Sequence, residues 1–357
     1  MPENPYHTLA QQLDAIPNGF PTTESGVELK LLAKIFTPEE ALLASEMRQT
    51  LEPAEVIAAR AGMDPQWTYR TLKSMVRKGQ IRVGRTDKKL VFGLMPFAVG
   101  IYEEQLPRMD EELAQLFEEY YREAQGGFTR YAPAVHRVIP VGEAIPADVE
   151  IYPYERASDL IENAKAWGVR DCICRLQQKL IGKGCDRPLE SCLIFAPVEG
   201  VFDRSETTRA ISKEEALDIL RLAEDAGLVH SPGNFRDGHN YICNCCTCCC
   251  GVLRSVAEFS VPTAIASSDF VAVVDVELCA GCGDCVARCQ FGALAVPDDR
   301  CLLDAGRCVG CGLCVTVCPS DALRLARRTE GRIPPPPENL EDWMAQRAQS
   351  RGLPEMT

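Results

Sequence analysis

Cys279-Ala-Gly-Cys282-Gly-Asp-Cys285-Val-Ala-Arg-Cys289 returns further along the chain as Cys308-Val-Gly-Cys311-Gly-Leu-Cys314-Val-Thr-Val-Cys318. The match extends past the thiols at one constant offset: Asp275 corresponds to Asp304, Gly281 to Gly310, and Ala293-Leu294 to Ala322-Leu323. Both copies have C-x2-C-x2-C-x3-C spacing. Three cysteines on a short loop can wrap three irons of a cubane, while the fourth, expected to start a helix, reaches the cubane of the other half. Gly281, Gly283, Gly310 and Gly312 let the backbone turn tightly around the sulfurs. Zinc sites pair C-x2-4-C knuckles across a longer loop instead. Flanking runs, Phe270-Val-Ala-Val-Val-Asp275 and Ala293-Leu-Ala-Val296, read as short strands.

Outward from this repeat, the chain has 357 residues, a formal charge of −13 and 46% hydrophobic residues. That is the composition of a globular protein of two or three domains. The acidic balance opposes nonspecific attraction to nucleic acid or anionic lipid. No membrane span is expected, and the Met1-Pro-Glu-Asn-Pro-Tyr-His start lacks the pattern of an export signal, so the expected location is the cytoplasm. Nineteen cysteines in such a chain point to metal ligands rather than disulfides. None precedes Cys172; ten fall between Cys172 and Cys250, and nine between Cys279 and Cys318.

The repeat resembles the two-cluster bacterial ferredoxin module. The resemblance implies one [4Fe–4S] cluster on Cys279, Cys282, Cys285 and Cys318, and a second on Cys308, Cys311, Cys314 and Cys289. The second copy has Cys318-Pro319, as is usual; the first departs from it with Cys289-Gln290. Cys301 stands outside both motifs and reads as a buried thiol on a strand.

The central block is Cys172-Ile-Cys174-Arg175, Cys185, Cys192 and Cys243-Asn-Cys245-Cys246-Thr-Cys248-Cys249-Cys250. All ten are candidate metal ligands. Placed on a helix, Cys243, Cys246 and Cys249 or Cys250 share one face, and Cys245 and Cys248 or Cys249 another. One or two further Fe–S clusters are expected here, with zinc as the alternative. Arg175 can donate to cluster sulfur or form a surface salt bridge, and His230 reads as a loop residue. A helix is expected from about Arg156 to Trp167. Another follows the Ser212-Lys-Glu-Glu215 capping box and stops at Gly227. Cys-Ile-Cys-Arg, Ala226-Gly-Leu-Val-His230 and the Cys-Asn-Cys-Cys-Thr-Cys-Cys-Cys run resemble a group of 4Fe–4S binding proteins of anaerobic bacteria with a cysteine-rich middle.

Residues 27–97 read as a winged helix-turn-helix. One helix begins at Pro53 and ends at Gly62. The next is capped by Asp64-Pro65 and carries Tyr69, Leu72, Met75 and Val76 inward. Ile81–Phe92 forms the wing. Arg70, Lys73, Arg77, Lys78, Arg82, Arg85, Lys88 and Lys89, against Asp87, make this stretch basic, the pattern of phosphate contact, though a protein-binding or packing role is favoured over DNA binding. An acidic helix from Met109 to Ala124 follows, with Leu113, Leu116, Phe117 and Tyr120 as its apolar stripe and its acids as a solvated face. Pro334–Pro337 is a stiff spacer before a tail that reads as a loosely ordered terminus, with a docking helix at Leu340-Glu-Asp-Trp343-Met-Ala as the alternative.

The expected fold is α+β: an arm (1–26), a winged-helix-like region with the acidic helix (27–125), a cysteine-rich α/β domain (126–265), a dicluster ferredoxin domain (266–330), and a linker and tail (331–357). No nucleotide loop, H-E-x-x-H motif or serine triad is found. The expected function is iron–sulfur electron transfer, alone or as an oxidoreductase subunit, with a redox partner protein. The alternative is a redox- or oxygen-sensing winged-helix regulator that binds DNA. Homodimerisation is left open, as is whether the chain is itself an enzyme.

Overall fold

The computed structural model describes residues 4–86, 89–146, 151–329 and 333–354. Asp87 and Lys88 of the expected wing, the first three residues of the arm, and residues 147–150, 330–332 and 355–357 lie outside that range. Two compact units are present: Met1–Phe128 with Leu180–Gly182 and Arg347–Thr357, and Thr129–Lys179 with Lys183–Gln346.

The first unit contains α1 (Pro5–Asp14), α2 (Val27–Ile35), α3 (Pro38–Ser45), β1 (Glu52–Pro53), α4 (Ala54–Ala61), α5 (Pro65–Arg77), β2 (Ile81–Thr86), β3 (Lys89–Leu94) and α6 (Glu111–Glu123). Its helix starts follow local chemistry: the side chains of Asp64 and Asp110 accept from Trp67 N (2.7 Å) and Leu113 N (2.8 Å). Gly62 ends α4 at a φ of 64°. The strands form an antiparallel sheet in the order β1-β3-β2. Leu72 and Met75 of α5 are buried, but Tyr69, expected inward, is 41% exposed. The α6 stripe packs on an aromatic cluster in which Tyr102 and Phe117 stack at 3.8 Å. One acid of α6 departs from the solvated face: Glu118 is buried and paired with Arg122 at 2.7 Å.

The second unit contains β4 (His136–Arg137), α7 (Ala157–Glu162), β5 (Ala166–Asp171), α8 (Ile173–Leu180), β6 (Glu190–Ala196), β7 (Arg209–Ile211), α9 (Lys213–Asp225), β8 (Val229–Ser231), β9 (Tyr241–Cys245), α10 (Gly251–Phe259), β10 (Ile265–Ala266), β11 (Phe270–Val274), α11 (Asp284–Arg288), β12 (Leu294–Ala295), β13 (Leu302–Leu303) and β14 (Leu323–Arg327). The terminal helix α12 (Leu340–Ser350) follows. Of the two readings of the tail, the docking helix rather than the loose terminus is present: Trp343 is buried and its indole N–H donates to Ala134 O at 2.8 Å.

A five-stranded antiparallel sheet, ordered β7-β5-β6-β9-β8, organises the cysteine-rich part. Val169, Leu193, Phe195 and Ile242 of the sheet meet Ile161 of α7 and Ile219 and Leu220 of α9 in one core. The helix expected over 156–167 is cut short: α7 ends at Glu162, and Trp167 and Gly168 lie on β5. Tertiary pairing of Trp167 with Phe195 and Ile211 outweighs the helical pattern there. The helix after Ser212 forms as expected, with Ser212 Oγ accepting from Glu215 N at 3.1 Å.

Candidate metal centres

The cysteine repeat folds by exchanging strands between its copies. β11, at the start of the first copy, pairs with β14, at the end of the second; β12 of the first pairs with β13 of the second. Corresponding hydrogen bonds close both junctions: Asp275 N donates to Ala322 O and Asp304 N to Ala293 O, each at 2.8 Å. This exchange brings the fourth cysteine of each copy to the loop of the other. One cavity of about 370 Å³ is lined by Cys308, Cys311, Cys314 and, from the first copy, Cys289. A second of about 320 Å³ is lined by Cys279, Cys282, Cys285 and, from the second copy, Cys318.

Both cavities suit a cubane. Gly310 sits at a φ of +72°, and a Cβ there would stand 2.1 Å from Phe270 O; at Gly281, at +67°, it would stand 2.6 Å from Asp299 O. Only glycine lets the cysteine loops close against these backbone carbonyls. Burial pushes the Cys311 thiol up to about 12 and raises Cys314 as well. Burial also opposes ionisation of Cys318, yet hydrogen bonds led by Ser320 bring its thiol below the usual range. Such thiols become thiolates when a cation takes their protons' place.

Two details differ from expectation. The short helix α11 ends at Cys289 rather than beginning at the fourth cysteine. Cys301 lies one residue before β13 and lines the second cavity, with its sulfur 3.7 Å from that of Cys285. Its lack of a partner in the repeat hid this position.

The ten central thiols divide into four and six, a split that the helical placement of 243–250 misses. Residues 241–245 are a strand, so Cys243 and Cys245 share one face and Asn244 the other. The chain then turns at Cys246, whose carbonyl accepts from Cys250 N at 3.0 Å. The sulfurs of Cys185, Cys246, Cys248 and Cys249 all lie within 4.8 Å of one another. Cys185 is 4.0 Å from Cys246 and 3.7 Å from Cys249. Four thiolates around one tetrahedral ion at about 2.3 Å are separated by about 3.8 Å. This group is therefore the right size for a single ion such as zinc or iron, whereas the repeat's cavities offer wider cages.

Fixed cations face these four thiols. Arg175 is buried, its Nη1 3.0 Å from Asn244 O and 3.8 Å from Cys246 Sγ, so the surface salt bridge is excluded for it. Arg187 Nη1 lies 3.4 Å from Cys248 Sγ. Contacts from Cys248 and Cys249, helped by Arg175, hold Cys246 far below the usual thiol range; the same contact pushes Cys248 up to about 11. His230 is buried, not a loop bystander: Nδ1 meets Asn244 Oδ1 at 2.6 Å and Nε2 meets Glu224 Oε1 at 3.0 Å. It fixes the strand that carries the cysteines.

The cysteine repeat and the four-thiol group meet at Gln290. Its side-chain oxygen accepts from Thr247 N at 2.8 Å, between Cys246 and Cys248, and its amide donates to Gly227 O. Neighbouring Arg288 donates to Asp225 O at 2.8 Å. The residue that breaks the Cys-Pro pattern thus joins the Cys289 segment to the central cysteine loop.

Residues 302–324 match the family model described as "4Fe-4S binding domain". No curated protein and no solved structure matches the chain. The matched segment contains Cys308, Cys311, Cys314 and Cys318. The C-terminal part thus carries an iron–sulfur module of ferredoxin type with at least one [4Fe–4S] cluster, and the central cysteines form a group able to hold metal. Among the described residues, no helix is long and apolar enough to cross a membrane.

Proposed function

We propose that this chain relays single electrons between two [4Fe–4S] clusters of the C-terminal repeat and a thiolate-held iron in the central domain, as an electron-transfer protein or oxidoreductase subunit serving a redox partner. Cys279, Cys282, Cys285 and Cys318 would hold one cluster, and Cys308, Cys311, Cys314 and Cys289 the other; Cys185, Cys246, Cys248 and Cys249 would hold the central ion. When bound, the clusters supply one-electron redox chemistry whose potential is set by charge, burial and hydrogen bonds to sulfur. The chain buries Cys314, places Arg175 and Arg187 against the central sulfurs, and holds the two cysteine loops in register.

The Gln290–Thr247 hydrogen bond carries this reading. It links a Cys289 ligand to the loop between Cys246 and Cys248 by a few covalent bonds and one hydrogen bond. Gln290→Pro tests it, since proline already occupies the equivalent Pro319. Iron and sulfide content are expected to be retained, while electron exchange between the repeat and the central site, followed by rapid-freeze EPR, slows several-fold. An unchanged rate, or zinc in the central site, contradicts the reading.

The regulator reading draws on a different feature. Arg70, Lys73 and Arg77 on α5, and Arg82, Arg85 and Lys89 on the β2–β3 hairpin, are exposed, which supports a winged-helix surface for phosphate. Lys78 is engaged with Glu40. This reading requires salt-sensitive binding of duplex DNA. It ranks second because paired ferredoxin clusters suit carrying electrons.

A further inference from the structure

Six central cysteines remain outside the four-thiol group, and they close into a ring. Cys172 contacts Cys174 and Cys192; Cys192 contacts Cys243; Cys243 contacts Cys245; Cys245 contacts Cys250; and Cys250 returns to Cys174. Each thiol touches two others. All six are free cysteines.

The ring is assembled from five places in the fold. Cys172 follows β5, and its carbonyl accepts from Leu176 N at 3.0 Å at the start of α8; Cys174 lies in the first turn of that helix. Cys192 is on β6, and continuing the Leu193–Ile242 register sets it beside Cys243 on β9. Cys245 shares the Cys243 face, and Cys250 is the N-cap of α10. Two helix N-termini, of α8 and α10, therefore present their positive ends at ring cysteines. Arg175, which touches Cys246 of the four-thiol group, also acts electrostatically on Cys172 and Cys192 of the ring. Adjacent residues are divided between the groups: Cys245 and Cys246, then Cys249 and Cys250, each place one thiol in the ring and one in the group of four.

We infer that the six-cysteine ring is a second metal site of the central domain, built for one iron–sulfur cluster larger than a single cubane. A cubane takes about four cysteines and would leave two ring thiols idle against the ligating ones. Six thiolates can serve about eight iron corners if two of them bridge, by the rule of four ligands per cubane. Thiolate is the ligand type that selects iron–sulfur clusters. Binding releases the thiol protons to solvent without a change in the oxidation state of sulfur. The inference does not depend on the Gln290 contact or on the ion held by the four-thiol group.

The full chain, produced without oxygen, tests it through iron and acid-labile sulfide per chain, with Cys246→Ser as a control that disturbs only the other group. Two ferredoxin cubanes account for about eight irons, the four-thiol ion for at most one, and a single cubane in the ring would account for about four. More than about thirteen irons in the unaltered chain, with sulfide in proportion, is the expected result. Cys243→Ser/Cys250→Ser is expected to lose more than about four irons with their sulfide and to keep the reduced EPR signal of the ferredoxin-type clusters. About thirteen irons or fewer in the unaltered chain overturns the inference even if the double variant does not fold. So does a folded double variant with unchanged iron, or one that loses metal but no sulfide. A Cys246→Ser chain that loses its four-thiol metal but keeps the ring's iron separates this inference from the electron path through Gln290.

Discussion

The ferredoxin repeat and the five-stranded sheet of the central region both present cysteines to metal, by opposite routes. In the repeat, eight cysteines sit on two copies of one loop, and short strand pairs join the copies. In the central region, cysteines from a strand end, two helix starts, two strands and two loops converge on a sheet that has its own apolar core. Where ligands are local, the metal organises the fold; where they are gathered from afar, the fold comes first and organises the metal.

The largest effect that distinguishes the two regions is metal removal. A module as small as the repeat buries too little apolar surface to stand alone, so the proposed clusters would act as internal staples. Stripping all iron with a chelator is expected to abolish amide-exchange protection in β11 and β14. Val169, Leu193 and Phe195 on β5 and β6 keep their burial and should keep their protection. Equal loss in both regions would erase the contrast.

A smaller effect concerns the β4–β10 ladder between the two regions. His136 pairs with Ile265 and is fully buried, and neither ring nitrogen has a hydrogen-bond partner among the described residues. Burial lowers its pKa to about 4. In the unfolded chain the imidazole takes a proton below about 6.5, while the folded chain resists protonation until about 4. The unfolded state thus binds more protons in that window, so stability is full above it and falls as the pH drops through it. The loss amounts to roughly 3 kcal/mol across the window. Denaturant melts of the protein with its metals removed, at pH 6.5 and 4.5, should show this slope, and His136→Leu should flatten it. An unchanged slope in the variant would place the titrating group elsewhere.

The same contrast decides what could be read before folding. The repeat was legible because its spacing is its geometry: one constant offset predicts which cysteines belong to the same kind of loop, and the strand exchange then brings Cys289 and Cys318 across. The division of the central thiols was not legible. It depends on Cys243 and Cys245 lying on a strand, on a turn at Cys246, and on the β6–β9 register that sets Cys192 beside Cys243. None of these is encoded by local cysteine spacing. Trp167 shows the same limit, since its apolar neighbours fit a helix as well as the strand that pairing selects. Gln290 was visible as a break in a pattern, but its partner Thr247 is 43 residues away in the chain.

The most direct test of the central claim is EPR of the full chain, produced anaerobically and reduced with dithionite. The account predicts a coloured protein whose reduced state gives the overlapping signals of two neighbouring [4Fe–4S] clusters, with one set lost in Cys311→Ser. A folded chain that is colourless and EPR-silent after reduction would contradict it.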